Sequence, residues 1–336
     1  MLFPGRVVKV ALSPFGRVGA VKLSQGETNL SSAVIDPAKG FAYFGTMTVP
    51  GRVAKINLSS FTRVDGVILL YAENLAISGV IDPAAGFAYF GLSTNPGRVA
   101  KINLSTFLEV DSIVFPYGFD NAYSAVIDPA AGFAYFGLGT SPGRVVKLEL
   151  SSFSIVDYLT FEGGEDGASV GVIDPAAGFA YFATTPNPSS IVKIDLVTFL
   201  EVGSLVLNPD ESGFFSAVID PAAGYAYFGI DTSPGRIVKI DLISFSRVGS
   251  LTLASGGDYI RSAVIAAGFA YFGCSTSPGR IVKVDLATFT EVGYVNLLLN
   301  EVCTYAAVID TAAGFAYFGV YGYGGRVDHL PLLGVH

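Results

Sequence analysis

Apolar residues recur along this chain in one fixed phrase, Phe-Ala-Tyr-Phe-Gly, written seven times from Phe41, Phe87, Phe133, Phe179, Tyr225, Phe269 and Phe315. Five copies are verbatim; the fourth ends in Ala183 and the fifth opens with Tyr225. The copies stand 46 residues apart, apart from one step of 44 between Tyr225 and Phe269. A fixed period in this range means one supersecondary unit stacked on copies of itself. Within a unit, Ser124 to Asp128 reads as a short apolar strand and Pro129 to Gly132 as a turn. Phe133 to Gly137 follows as the second strand, Arg144 to Leu150 as the third and Ile155 to Phe161 as the fourth. Four short antiparallel strands per unit predict a propeller blade. The inner strands are apolar on both faces, as burial between neighbouring blades requires. The fourth, as in Arg247 to Leu253, alternates as an exposed edge does. No 3.6-residue period points to a helical solenoid.

The two ends predict how the ring closes. Residues 4–10 and 17–23 read as third and fourth strands with no first or second before them. Ala307 to Asp310 and Phe315 to Gly319 supply the missing first and second. The expected architecture is all-β: a seven-bladed β-propeller of four-stranded antiparallel blades, closed by pairing the N-terminal strands with the C-terminal half-blade. Residues 1–324 form one propeller in this reading. Residues 325–336 are a degraded repeat remnant or tail, with His329 where other copies have Lys. In the 44-residue repeat the Asp-Pro pair of the turn is missing, which predicts a tighter hairpin around Ala266 to Gly268 with Gly268 at positive φ.

Composition sharpens this picture in a few places. The chain is 51% apolar but only 14% charged, with 26 Phe and 17 Tyr, which suits strands and excludes disorder. Lys or Asp interrupts every repeat, so no membrane insertion is expected. A net charge of −8 argues against nucleic acid, which requires a basic stripe. Cys274 and Cys303 lack metal-ligand spacing and read as ordinary small residues.

The stretch Asp82-Pro-Ala-Ala-Gly-Phe-Ala-Tyr-Phe-Gly resembles the Pro-x-x-Gly-x-x-Tyr pattern of YVTN-type propeller repeats. Val-Lys-Ile-Asp-Leu around Lys239 is similar to the third strand of those repeats. The chain departs from them in having Phe-Gly or Phe-Ala where they carry Val-Thr or Val-Ala, followed by Asn. It also lacks the Trp-Asp of WD40 repeats, having no Trp. The resemblance implies a propeller of a kind often found in cell-surface or secreted proteins and occasionally in enzymes; it transfers no catalytic residues.

Candidate chemistry is sparse. The two histidines, His329 and His336, both lie in the tail, so no His-centred triad or His-ligated metal can be assembled inside the ring. No cofactor is implied. The recurrent turn aspartates, such as Asp128, are read as ordering the turn. The third-strand lysines, such as Lys147, are read as snorkelling from a blade face. Phe15, Phe61, Phe107 and their counterparts are read as plugging the gaps between blades.

Strands one to three are nearly uniform from copy to copy while the segment entering the first strand is not, which is the pattern of a scaffold that delegates binding to its loops. It keeps an acid in each copy: Glu27, Glu73, Asp120, Glu165 with Asp166, Glu211, Asp258 and Glu301. Loops after strands two and four emerge on one side, so these acids are expected to interleave with arginines such as Arg52 and Arg144 around the channel. Ser190 stands at the arginine position in the fourth unit and breaks the symmetry beside Glu165, Asp166 and Glu211. The sequence therefore points to a monomeric, non-enzymatic scaffold binding a protein or a small polar ligand. The alternatives are a carboxylate-based lactonase or hydrolase, and a structural unit of a longer surface array.

Overall fold

A computed structural model describes residues 3–70 and 72–322, all of whose regular elements are β-strands. Twenty-eight strands form seven four-stranded antiparallel sheets arranged in a ring. Blades one to six are continuous in sequence and span residues 30–68, 76–114, 122–160, 170–206, 214–252 and 260–296. Blade seven is composite. Its strands are Glu301–Asp310, Phe315–Gly322, Arg6–Leu12 and Phe15–Lys22, with Arg6–Leu12 paired to Phe315–Gly322 in the register Val8 to Phe318. Val7, Val8 and Val10 are fully buried by this closure. Residues 325–336 lie outside the described residues. No helix among those described is long and apolar enough to cross a membrane.

The repeated phrase forms the second strand of every blade, and its residues are buried between neighbours. In the second blade, Ala88, Tyr89 and Phe90 are at most 1% exposed. The phenylalanine of each third-to-fourth-strand turn reaches across to the tyrosine of the preceding blade. Tyr43 meets Phe107, Tyr89 meets Phe153, and so on round to Tyr317 with Phe61, at ring separations of 5.5 to 5.9 Å. Six of these phenylalanines hold φ between 46 and 53°, a region that costs a bulky side chain backbone strain. The inter-blade aromatic contact is what offsets it. The third-strand lysines complete the layer: each ammonium lies 3.8 to 4.3 Å from the ring that opens its own blade's phrase.

The glycine that ends the phrase has a steric cause. A Cβ on Gly45 would stand 2.3 Å from Ser32 Oγ and 2.8 Å from the Ala76 carbonyl. That serine hydroxyl donates to the Ala76 carbonyl of the next blade at 2.7 Å, and Ser78 and Ser124 repeat the bond. In blade four the serine position is Val170, and there alone the phrase ends in alanine, Ala183. The two changes go together because the hydroxyl that needed the space is gone. Blade seven has Ala306 at that position yet keeps Gly319, because Leu30 of the next blade would stand 2.8 Å from a Cβ there.

At the opposite end of the blades, the turn aspartates accept from backbone amides three residues on, Ala131 N to Asp128 Oδ1 at 3.0 Å being typical. Blade six dispenses with that device. Ala266 pairs directly with Phe269, leaving a two-residue turn with Ala267 at φ 50° and Gly268 at φ 78°. Two consecutive positive φ values define the type I′ hairpin. Gly268→Ala is expected to cost about 1 kcal/mol through backbone strain, since no atom lies near enough to clash. Ala267→Asn should stabilise by a few tenths of a kcal/mol, because Asn tolerates this region better than Ala. Urea unfolding of both variants checks the pair, and a neutral Gly268→Ala would count against the turn as described.

Candidate functional site

The innermost strand of each blade lines the central channel. Its lower part is aliphatic, a cavity of about 420 Å³ walled by Val-Ile pairs such as Val126–Ile127, Val172–Ile173 and Val218–Ile219. One step up, small residues repeat: Ala33, Gly79, Ala125, Gly171, Ala217, Ala263 and Ala307. At the mouth the repetition stops. The corresponding residues are Ser31, Ile77, Tyr123, Ser169, Phe215, Arg261 and Tyr305. In six blades this residue coincides with a register shift in the ladder to the second strand, as between Phe214 and Ser216. A bulge re-aims one side chain without disturbing the pairing on either side.

The mouth residues of three successive blades stack. The Arg261 guanidinium of blade six lies 4.3 Å from the Phe215 ring of blade five and 4.8 Å from the Tyr305 ring of blade seven. Its Nε donates to Asp231 Oδ1 at 2.7 Å, and Nη2 donates to Oδ2, making the pair bidentate. Tyr305 in turn stacks on Tyr321 at 5.1 Å and an interplanar angle of 6°. The result is an arc of planar groups over blades five to seven. Across the channel, Tyr123 lies against its own blade, where a Cβ on Gly139 would fall 2.2 Å from its ring. Burial pushes the Tyr123 phenol up.

The acids expected to ring this mouth are divided in two by the structure. Glu27, Glu73, Glu165, Glu211 and Glu301 are buried, at most 9% exposed, and lie against the fourth strand of the blade whose first strand they lead into. Three form bidentate ion pairs there: Glu27 with Arg63, Glu211 with Arg247 and Glu301 with Arg17. Each also accepts from the backbone amide three residues before it, as Glu27 does from Ser24 at 2.9 Å. The expected interleaving with Arg52 and its counterparts is therefore replaced by pairing with fourth-strand arginines. The third-strand arginines instead tie down the entry loops: Arg144 bonds the Gly118 carbonyl, Arg280 the Ser255 carbonyl, and Arg236 pairs with Asp210. Removing Glu165, Asp166 and Glu211 together would disturb these inter-blade contacts as well as any site.

In two places a glutamate replaces the arginine partner. Glu73 faces Glu109, and Glu165 stands near Glu201. Glu73 Oε2 and Glu109 Oε1 are both buried without a donor. Burial first, and the Glu73 carboxylate second, push the Glu109 carboxyl up to about 8. Burial also raises Glu201, while Glu165 Oε1 accepts from Ser204 Oγ. These pairs sit on the outer strands rather than in the channel.

Asp120, Asp166 and Asp258 remain partly exposed at the rim. Asp258 accepts from Ser233 Oγ at 3.0 Å, and Asp120 Oδ1 is buried without a donor. The Asp166 carbonyl accepts from both the amide and the hydroxyl of Thr185. Ser190 is 6% exposed, and its amide donates to Thr184 Oγ1 at 2.8 Å, so it closes its own loop. Sequence reasoning singled out the acids and missed the mouth residues beside them. The signal was present, because each mouth residue falls at the end of the variable entry segment. Among the described residues no group of three or more His, Cys, Asp or Glu is placed to hold a metal ion.

No family model and no curated protein matches the sequence. Among solved structures the fold is similar to a chain of hydrazine synthase from Kuenenia stuttgartiensis, with a TM-score of 0.74 and 12% identity over 88% of this chain and 93% of that one. At that identity the likeness establishes the seven-bladed β-propeller fold and carries no activity across.

Proposed function

We propose that the protein is a non-enzymatic binding module whose ligand sits over the channel mouth, on the face formed by the entry loops. The observation that carries this reading is where the seven-fold repetition breaks. Below the mouth the blades repeat nearly the same residues, whereas the mouth collects Tyr123, Phe215, Arg261 and Tyr305 on a ring otherwise made of small residues and Ile77. Exposed tyrosines also vary on the outer strands, as at Tyr158 and Tyr294, but at the mouth large planar groups of successive blades meet one another, and flat aromatic and guanidinium faces give contact area at small entropic cost. Asp120, Asp166 and Asp258 are the rim carboxylates of this reading. Its partners are a small polar ligand or a side chain of another protein. The perturbed carboxyls Glu109 and Glu201 lend no support to a hydrolase, because they lie between blades on the outer strands.

A fragment screen by ligand-observed NMR tests the proposal, using the wild-type protein and a Phe215→Ser, Tyr305→Ser double variant. Hits that disappear in the variant, with the melting temperature held within a few degrees, support the mouth as the site. Hits that persist in the variant, or a screen without hits, overturn it.

A further inference from the structure

Blade six shows how this mouth holds a planar cation. Its mouth residue is Arg261, flanked by an aromatic residue on each neighbouring blade, Phe215 and Tyr305, and clamped by a carboxylate. Blade four is likewise flanked by aromatic mouth residues but lacks the central group, and Gly139 stands where blade five has the clamping Asp231. Its neighbours carry Tyr123 on blade three and Phe215 on blade five, but its own mouth residue is Ser169. A serine side chain is far too short to cover either ring. Phe215 is only partly buried with the Arg261 guanidinium 4.3 Å from its ring.

The polar groups around that gap present acceptors. Ser169 Oγ donates to the Ala183 carbonyl at 3.1 Å, and Thr185 Oγ1 donates to the Asp166 carbonyl at 2.9 Å. Both hydroxyl protons are committed inside the protein, so only oxygen lone pairs remain for a ligand. The entry loop places Asp166 at the boundary of blades three and four: its carbonyl takes the Thr185 amide of blade four, while the next residue's amide, Gly167 N, bonds Thr140 O of blade three. Asp166 is thus positioned to serve as counter-charge. An acceptor-lined gap between two aromatic residues, on a chain of net charge −8, selects for a flat, donor-rich cation.

Resting on the mouth as the binding site, we infer that the gap over Ser169 takes a guanidinium group, seated between Tyr123 and Phe215 as Arg261 is seated between Phe215 and Tyr305. The same chemistry is offered by a free guanidinium compound and by an arginine side chain of a peptide.

Isothermal titration with N-acetyl-arginine amide and with its neutral near-isostere N-acetyl-citrulline amide tests this directly. The arginine probe should bind at least tenfold more tightly and weaken as salt is raised. Asp166→Asn and Tyr123→Ala should each weaken it about tenfold or more. Ser169→Arg, which supplies the guanidinium from within, should abolish it. Titrating a Gly-Arg-Gly peptide beside agmatine separates the two sources: tighter peptide binding marks a protein partner, and equal binding marks a free small molecule. Equal affinity for arginine and citrulline probes, or arginine binding that survives Ser169→Arg in a folded protein, overturns the inference. So does the absence of arginine binding. Should the mouth still bind other fragments in that case, the broader reading stands without this ligand class.

Discussion

Deletion of residues 1–24 is expected to cost the protein its closed ring, seen as dimers or larger species by light scattering and as a fall of many degrees in melting temperature. Those residues supply the third and fourth strands of blade seven, and they pair with the outer edge of Phe315–Gly322 from Phe315 to Val320. Without them that edge is left with unpaired amides and carbonyls, a ready template for a second chain. Core packing goes with the strands: Val7 clusters with Phe44 and Tyr317, and Val8 and Val10 with Phe318. Full burial of a valine is worth about 1.5 to 2 kcal/mol, so three such side chains alone approach the stability of a typical domain. The ion pair of Arg17 with the fully buried Glu301 is lost as well, which leaves a carboxylate uncompensated between blades. A truncated chain that stays monomeric with an unchanged melting temperature would show that blade seven is not closed in this way.

The second large effect concerns pH. With the Glu109 carboxyl raised from about 4.5 to about 8, the folded protein holds a proton across that window that the unfolded chain has released. The contribution to stability is therefore complete below about pH 4.5, declines as pH rises, and is gone above about 8. This is opposite in sign to the acid denaturation of ordinary ion-paired carboxylates. A proton between Glu109 Oε1 and Glu73 Oε2 satisfies both buried oxygens; removing it sets two carboxylates against each other. Glu109→Gln should flatten this part of the pH dependence and raise the melting temperature at about pH 8.5, with little change at about pH 5. Glu109→Arg should do more at high pH, because it recreates the pairing that Arg63 and Arg247 make with Glu27 and Glu211. Differential scanning calorimetry over that range decides it; a wild-type protein that gains stability between pH 5 and about 8.5 relative to Glu109→Gln would refute the assignment.

Much of the architecture was legible because it is written seven times. A period of 46 residues, the Gly and Pro punctuation, and two complementary half-blades leave few other ways to bury FAYFG strands. The hairpin at Ala267 and Gly268 was legible for a similar reason, since deleting Asp-Pro leaves room only for a two-residue turn. The side-chain partners were not. Whether Glu27 faces solvent or the next blade depends on Arg63, 36 residues away, and no local pattern encodes that meeting. Positive φ at Phe107 likewise follows from closing the four-residue turn between Asn103 and Leu108 rather than from any preference of phenylalanine, since Phe15 meets Tyr271 from a two-residue turn without it. The mouth cluster was not legible for the same reason as the ion pairs, because Arg261 meets Phe215 and Tyr305 only across blade boundaries.

A residue that sits outside the hydrogen-bonded ladder is exchanged without shifting the register of its neighbours, and six of the seven blades offer such a position at the same height in the ring. The present chain already fills these positions with serine, isoleucine, tyrosine, phenylalanine and arginine on nearly identical supports. The ring thus works as a keyboard: a combinatorial library confined to these addresses would sample new recognition surfaces while the framework that carries them stays constant.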